Sequence, residues 1–327
     1  MTILVAGSAG HLGEALMRTL RAAGRPARGI DILPSPFTDA VGSICDRDFV
    51  IRCMSGVRAI VHAATLHKPH VATHGNRDFV ETNVTGTLTL LEEAVASGIQ
   101  TFVFTSTTSA FGSALTPSAG EPAAWATEDV VPVARNIYGV TKIAAETLCE
   151  LFHRKRRLST IVLRTSRFFP EADDDVTIRE SYELANVQAN EMLNRRVDIA
   201  DVVDAHLLAL EKAPEIGFAR YIVSATTPFT RDDLAALRMH APGVVQRLFP
   251  ECEALFAARG WRLFRTIDRV YVNHLAAAEL GWRPKYDFRH VLECLGAGTD
   301  FRSKLAREVG SKGYHATVFE HGPYPVA

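Results

Sequence analysis

Nowhere in the 327 residues does an apolar run approach the ~20 residues that a membrane-spanning helix needs. The opening stretch MTILVAG also lacks the basic region of a secretory leader, so a cytoplasmic protein is expected. Charge of one sign is equally scarce. With 36 Lys and Arg against 37 Asp and Glu, the net charge is -1 and no block of like charge stands out. That removes the electrostatic footprint of a nucleic-acid or anionic-membrane binder and leaves small molecules as the expected partners. Cysteine is sparse as well: Cys45, Cys53, Cys149, Cys252 and Cys294 are odd in number and form no close CxxC pair. Neither a disulfide framework nor a zinc site is read from them, and no metal is expected. Internal repeats and low-complexity segments are missing too.

What the chain does have is a regular alternation of short apolar runs with amphipathic ones. TILVAG precedes LGEALMRTLRAAG, VRAIVHAA precedes DFVETNVTGTLTLLEEAVASG, and TFVFTS precedes IYGVTKIAAETLCELFHRK, with ARGID and TIVLRTS as further apolar runs. In the first amphipathic run Leu12, Ala15, Leu16 and Leu20 share one helical face, Arg18 and Arg21 point elsewhere, and Gly24 supplies a stop. Strand alternating with helix predicts an α/β fold, a Rossmann-type doubly wound parallel sheet. After about residue 165 the alternation becomes irregular, with PEADDD, DVVDAHLLALEKA, RYIVSA and a Trp/Arg-rich tail. The expected division is a dinucleotide-binding domain over 1–165, to which elements of about 195–225 return, and a smaller, interleaved substrate-binding lobe over 166–327.

Three glycines, Gly7, Gly10 and Gly13, lie where the first strand should meet the first helix. Glycine lets the backbone approach a ligand closely, and a helix N-terminus offers unpaired N–H groups, so the turn is suited to a diphosphate. The spacing is GxxGxxG. Asp31 follows the second apolar run, 18 residues after Gly13, where an acid can bind both hydroxyls of an adenosine ribose and repel a 2′-phosphate. This favours NAD over NADP, with Arg28 nearby as the complication.

YGVTK puts Tyr138 and Lys142 one turn apart on a helix face, from which the ammonium is expected to lower the phenol and make it a usable acid or base. The hydroxyl-rich FTSTTSAFG lies one strand-helix unit earlier. It offers Thr107, with Ser106 and Thr108 as alternatives, as a second donor to a substrate carbinol.

These residues together resemble the extended short-chain dehydrogenase/reductase family, in its epimerase/dehydratase branch. The resemblance covers roughly residues 1–210 and, more thinly, the tail AELGWRP. It implies that Gly7, Gly10, His11, Leu12 and Gly13 form the glycine motif and that Asp31 is the ribose acid. Asp46 of CDRD would meet adenine, Ala63 and Ala64 of VHAAT would line the cofactor, and Asn83 of TNVTGT and Thr165 would complete its surroundings. STTSAFG is similar to S-[ST]-x-x-V-Y-G and places the catalytic hydroxyl on Thr107. Tyr138 then inherits the role of catalytic base, and Lys142 that of ribose-binding partner.

The implied activity is NAD-dependent hydride transfer at a secondary carbinol of a sugar, nucleotide sugar or related small substrate, by an epimerase or a dehydrogenase/ketoreductase. The alternative is a non-catalytic NAD-binding sensor or scaffold. The chain departs from the family pattern in three places. Thr108 and Ser109 stand where dehydratases carry Asp-Glu. LRTSRFFPE has Thr165 for the first Pro and Pro170 for the Gly of R-P-x-x-x-Y-G-P. Only 27 residues separate Pro170 from Asp198, which suggests a modest substrate.

Further substrate contacts are sought at His67, Lys68, Thr108, Arg167 and Arg269. His67, Lys68 and His70 of LHKPH lack a fourth partner for a metal, and the two arginines are candidates to clamp an anion. Asp173, Asp174 and Asp175 read as a mobile, solvated loop, and Trp261 and Trp282 as core anchors. A homodimer is expected through the helices that carry Leu88, Leu91, Val95, Leu148 and Leu151, which are apolar on more than one face.

Overall fold

Each short apolar run becomes a strand of one parallel sheet covered by helices, the setting in which strands are buried on both faces. The structure, a computed structural model, describes residues 2–173 and 175–313. β1 (Thr2–Ala6) leads through the glycine turn into α1 (His11–Ala22), which buries Leu12, Ala15, Leu16 and Leu20 in a single stripe. β2 (Ala27–Asp31), β3 (Ala40–Val41), α2 (Arg47–Cys53) and β4 (Val57–His62) follow. α3 (Asn76–Phe79) runs through a π-helical turn at Val80–Thr85 into α4 (Gly86–Ala96). Next come β5 (Thr101–Thr107), β6 (Ala124–Ala126), α5 (Ile137–Arg156) and β7 (Ser159–Thr165). α6 (Val176–Ser181), α7 (Leu184–Glu191), α8 (Ile199–Ile216) and β8 (Phe218–Val223) complete the sheet region.

Seven strands pair in the order β3-β2-β1-β4-β5-β7-β8, every pair parallel. This is a Rossmann-like sheet. The strand order reverses between β1 and β4, and the crevice beyond the C-terminal ends of such strands is where open α/β sheets take their ligands. One apolar layer packs α1 and α8 on the sheet, and the other packs α2, α4 and α5.

The remaining chain forms α9 (Leu234–Leu248), α10 (Cys252–Ala257), β9 (Arg269–Tyr271), α11 (Phe288–Ala297) and α12 (Lys304–Val309). α9 is broken at His240 (φ -158, ψ 77), two residues before Pro242, whose ring disfavours helix just ahead of it. Leu237, Val245, Phe249, Phe256 and Phe288 build a second apolar core. β6 pairs with β9 rather than with the main sheet, so residues 124–126 leave the region in which the sequence places them. α12 comes back to pack on α1 and α8.

Trp282 is fully buried and donates Nε1–H to Asp201 O at 2.9 Å, while Trp261 packs half-buried against the second core. Leu91, expected on an outward face, is buried in the sheet's own core, because α4 turns that side toward α5 and the strands. Leu151 remains exposed. No helix among the described residues is long and apolar enough to cross a membrane.

Candidate active site

A cleft of about 1360 Å³ runs from the glycine turn, past β5 and α5, to β9. At its first end the glycines do different work. Gly7 has φ 92, a conformation that side chains resist, and a Cβ on Gly13 would stand 1.9 Å from Gly7 O. A Cβ on Gly10 would meet nothing nearer than Gly7 O at 3.5 Å, so at that position the bare backbone faces open cleft. No side chain caps α1, whose first-turn N–H groups on His11, Leu12 and Gly13 belong to cleft-lining residues. An uncapped helix end beside an open glycine is what a diphosphate requires, and the residues present fit a dinucleotide.

Asp31, at the end of β2, accepts from Ala9 N (3.0 Å) with one oxygen and from Leu33 N (2.9 Å) with the other. Each oxygen keeps a lone pair for a ribose hydroxyl. Arg28 donates to Cys53 O and Ser55 O (2.6 and 3.0 Å) and lies outside the lining, so it is not beside Asp31's ligand position.

Asp46 does not reach the cleft either. Its carboxylate accepts from Phe49 N at 3.0 Å as the N-cap of α2, and Gly42, Ser43 and Ile44 form the wall instead. Asn83 is buried in the π-helical turn and ties Leu66 N (2.8 Å), Thr65 Oγ1 (2.9 Å) and Thr141 Oγ1 (3.1 Å) together. It shapes the loop after β4 without lining the cleft, whereas Ala63 and Ala64 do line it.

The neighbouring hydroxyls of Ser106 and Thr107, at the end of β5, and of Thr108, just after it, separate cleanly. Ser106 Oγ donates to the buried Glu146 of α5 at 2.5 Å, and Thr108 Oγ1 donates to Thr165 O at 3.4 Å. Thr107 Oγ1 accepts from Ser109 N at 3.0 Å and lies next to the phenol of Tyr138, both residues lining the cleft. Asn136 caps α5 by accepting from Gly139 N at 3.1 Å, which starts the helix that presents Tyr138 and Lys142 one turn apart. Lys142 does not act on the phenol as the spacing suggests. Its Nζ donates to Thr105 O at 2.6 Å and lies 4.2 Å over the ring of Phe104. Burial lowers Lys142 to about 7, against the attraction of Glu146. Burial likewise raises Tyr138 to about 12, only partly offset by Thr107.

Glu146 continues the stripe one turn beyond Lys142. It holds Arg164 Nη2 at 2.7 Å in a buried pair, with Arg220 Nε at 3.3 Å. Its place four residues after Lys142 was a signal in the sequence that the motif reading did not use.

At the far end, side chains replace main chain. Arg167 donates to Asp173 (2.5 Å), Glu191 (3.3 Å) and Ala172 O (3.1 Å). Arg195 shares the same two carboxylates, and Arg196 pairs with Glu191 at 2.8 Å. Although burial opposes it, Arg196, Arg167 and Arg195 together hold the Glu191 carboxyl at about 2.

Asp173, expected in a solvated loop, is instead buried in this cluster, while Asp175 is exposed as expected and caps α6. Asp174 lies outside the described residues. Arg269, on β9, lines the cleft and pairs with Asp268 at 3.0 Å.

His67, Lys68 and His70 line the cleft after β4, and the His67 ring centroid is 6.2 Å from that of Tyr138. Burial lowers His67 to about 3, which keeps its imidazole neutral. Thr165 also lines the cleft and donates its hydroxyl to Ser106 O at 3.0 Å. Arg195, Glu171 and the segment 311–313 were not found from the sequence; Glu171 meets residues 311–313 from about 140 positions away, and Arg195 reaches Asp173 across 22.

A sequence model of the NAD dependent epimerase/dehydratase family matches residues 3–220. The chain is 28% identical to a dTDP-glucose 4,6-dehydratase of Streptomyces antibioticus over 324 residues, 88% of this chain and 89% of that protein. A 30% identical match to the uncharacterized protein y4nG of Sinorhizobium fredii (strain NBRC 101917 / NGR234) covers 50% of this chain and 40% of that protein. A short-chain dehydrogenase/reductase superfamily protein from Agrobacterium tumefaciens, solved with bound NAD, superposes with a TM-score of 0.64 at 25% identity. That match covers 91% of this chain and 96% of the other. The matching cofactor is NAD.

Proposed function

Because the chain belongs to the NAD-dependent epimerase/dehydratase family, we propose that it moves hydride at a secondary carbinol of a nucleotide sugar or related small sugar, as an epimerase or as a dehydrogenase. One observation carries the reading: the Tyr138 phenol is buried in the cleft beside Thr107, with Lys142 one turn along the same helix and lining the same cleft. Bound NAD supplies the hydride acceptor and, in its oxidised ring, a positive charge that favours the phenolate.

Gly7, Gly10, Gly13 and the N–H groups of His11 and Leu12 hold the diphosphate, and Asp31 holds the adenosine ribose. Ala63, Ala64 and Thr165 flank the cofactor. Asp46 and Asn83 act at a distance, through the cap of α2 and the loop at Thr65–Leu66. Lys142 holds the second ribose. Tyr138 takes the carbinol proton while Thr107 hydrogen-bonds the same oxygen; in the reverse direction the phenol, protonated as burial favours, gives the proton back. Expelling water would call for an acid beside Thr107. Positions 108 and 109 carry Thr and Ser, so a 4,6-dehydration is not part of the proposal.

The cleft exceeds the ~300–1,000 Å³ of a site for one small ligand, which supports a substrate lying beside the cofactor. The guanidinium-rich end, with Arg167, Arg195 and Arg269 lining the same cleft as His67 and Lys68, suits a substrate with phosphate or several hydroxyls. A homodimer through α4 and α5 is part of the same reading, supported by exposed Val140 and Leu151 on α5. Light scattering that finds only monomer at micromolar concentration contradicts it.

The test is incubation with NAD and a panel of free sugars, nucleotide sugars and small ketones, reading reduced-cofactor absorbance and product stereochemistry. Accumulating NADH assigns a dehydrogenase, and an epimer without NADH assigns an epimerase. Bound NAD with no turnover of any compound overturns the enzyme reading in favour of a sensor.

A further inference from the structure

Ser311 and Lys312 lie beside the glycine-turn end of the cleft, between two glycines of left-handed backbone, Gly310 (φ 60) and Gly313 (φ 66). Behind them the chain is anchored, since Leu305, Ala306 and Val309 of α12 join the apolar core that contains Leu12 and Leu16. Ahead of them, Lys312 and Gly313 form part of the cleft wall.

One carboxylate gathers this segment. Glu171, in the loop that leaves β7, accepts from Ser311 Oγ (2.7 Å), Lys312 N (3.2 Å) and Gly313 N (3.3 Å), all at Oε1. The same oxygen lies 2.9 Å from His11 Nε2. His11 is the first residue of α1, so the segment is tied to the helix end that faces the diphosphate position. A second tie runs along that helix, where the Lys312 ammonium pairs with Glu14.

The two sides of the contact differ in rigidity. Glu171 is 8% exposed. Burial acts to raise its carboxyl, but hydrogen bonds from His11 and Ser311 hold it at about 2, so the anchor keeps its charge at any working pH. Ser311, Lys312 and Gly313 are exposed and bring no apolar side chain into a core. A short segment held by polar contacts and flanked by two glycines opens locally at far lower free energy than the sheet beneath it.

We propose that Glu171 is a positioning residue that fastens residues 311–313 as a strap across the diphosphate end of the cleft, so that NAD enters and leaves while the strap is lifted. The inference rests on the placement of the diphosphate at α1 given above. A strap of this kind has a kinetic signature. A side chain that only touches the cofactor changes its dissociation, whereas a cover over its route slows entry and exit together, because both wait for the same opening.

The probe is NADH, followed by stopped-flow fluorescence, with association read from a concentration series and dissociation from displacement by excess NAD. Glu171→Ala is expected to raise both rate constants about tenfold and to leave Kd within about twofold. Lys312→Ala removes the tie to Glu14 without touching the buried carboxylate and is expected to raise both about threefold. It also decides the matter if Glu171→Ala fails to fold. Unchanged rates in Lys312→Ala, or dissociation that rises alone in either variant, overturns the strap. A wild-type protein that binds no NADH overturns the cofactor placement itself, and needs no variant to be recognised.

Discussion

At the Gly7–Gly13 end of the cleft the surface is main chain, and at the Arg265–Tyr271 end it is guanidinium, carboxylate and ring. The first end has little freedom to change, because Gly13 packs so closely on Gly7 that a methyl group has no place, and Asp31 is held in position by Ala9 N of the turn. The second end has Arg167, Arg195 and Arg196 balanced on Asp173 and Glu191, an arrangement in which side chains can be exchanged while the backbone stays in place. A cofactor common to many relatives is met by backbone geometry. In the function proposed above, the substrate is met by side chains.

The sharpest way to break this contrast is Gly13→Ala. Its Cβ would meet Gly7 O, the turn would shift, and NAD affinity by calorimetry should fall at least about 100-fold, or about 2.7 kcal/mol. At the opposite end Arg167→Met should leave NAD affinity within about twofold, yet lower stability by about 2 kcal/mol in thermal unfolding. The loss arises because two buried carboxylates would then share fewer cations. If Arg167→Met weakens NAD as strongly as Gly13→Ala does, the two ends are not separable.

Asp31→Ala should weaken NAD about tenfold by removing the ribose acceptor, and should narrow the preference over NADP by removing a like charge. Titration of both cofactors into wild type and variant checks this; a wild type that binds them equally places Asp31 outside the ribose pocket. The smallest expected effect is a pH dependence. Burial brings Lys142 from 10.5 down to about 7, so its ammonium is present below that pH and lost above it. If that ammonium holds the ribose, NAD affinity should fall roughly fivefold between pH 6 and pH 8.

The sheet was legible because each strand-helix unit is encoded locally. Apolar runs such as TILVA and the stripe Leu12, Ala15, Leu16, Leu20 carry their period within a dozen residues. The glycine turn was legible for a related reason: backbone conformation leaves a mark on residue type. What escaped depends on partners distant in the chain. Asp46 reads like a cofactor ligand and is used as a helix cap; Arg167 reads like a clamp and is held by Asp173 and Glu191. Lys142 sits one turn from Tyr138, but the carbonyl that takes its ammonium belongs to Thr105, 37 residues earlier. The tie between Glu171 and Lys312 spans 141 residues and leaves no local pattern.

Turnover of wild type and Tyr138→Phe, side by side and with NAD affinity measured on both, tests the central claim most directly. The ring still fills its buried place and only the phenolic hydroxyl is lost. The account predicts a fall in turnover of roughly 10²–10⁴-fold with NAD affinity nearly unchanged. Turnover in Tyr138→Phe close to that of the wild type would contradict it.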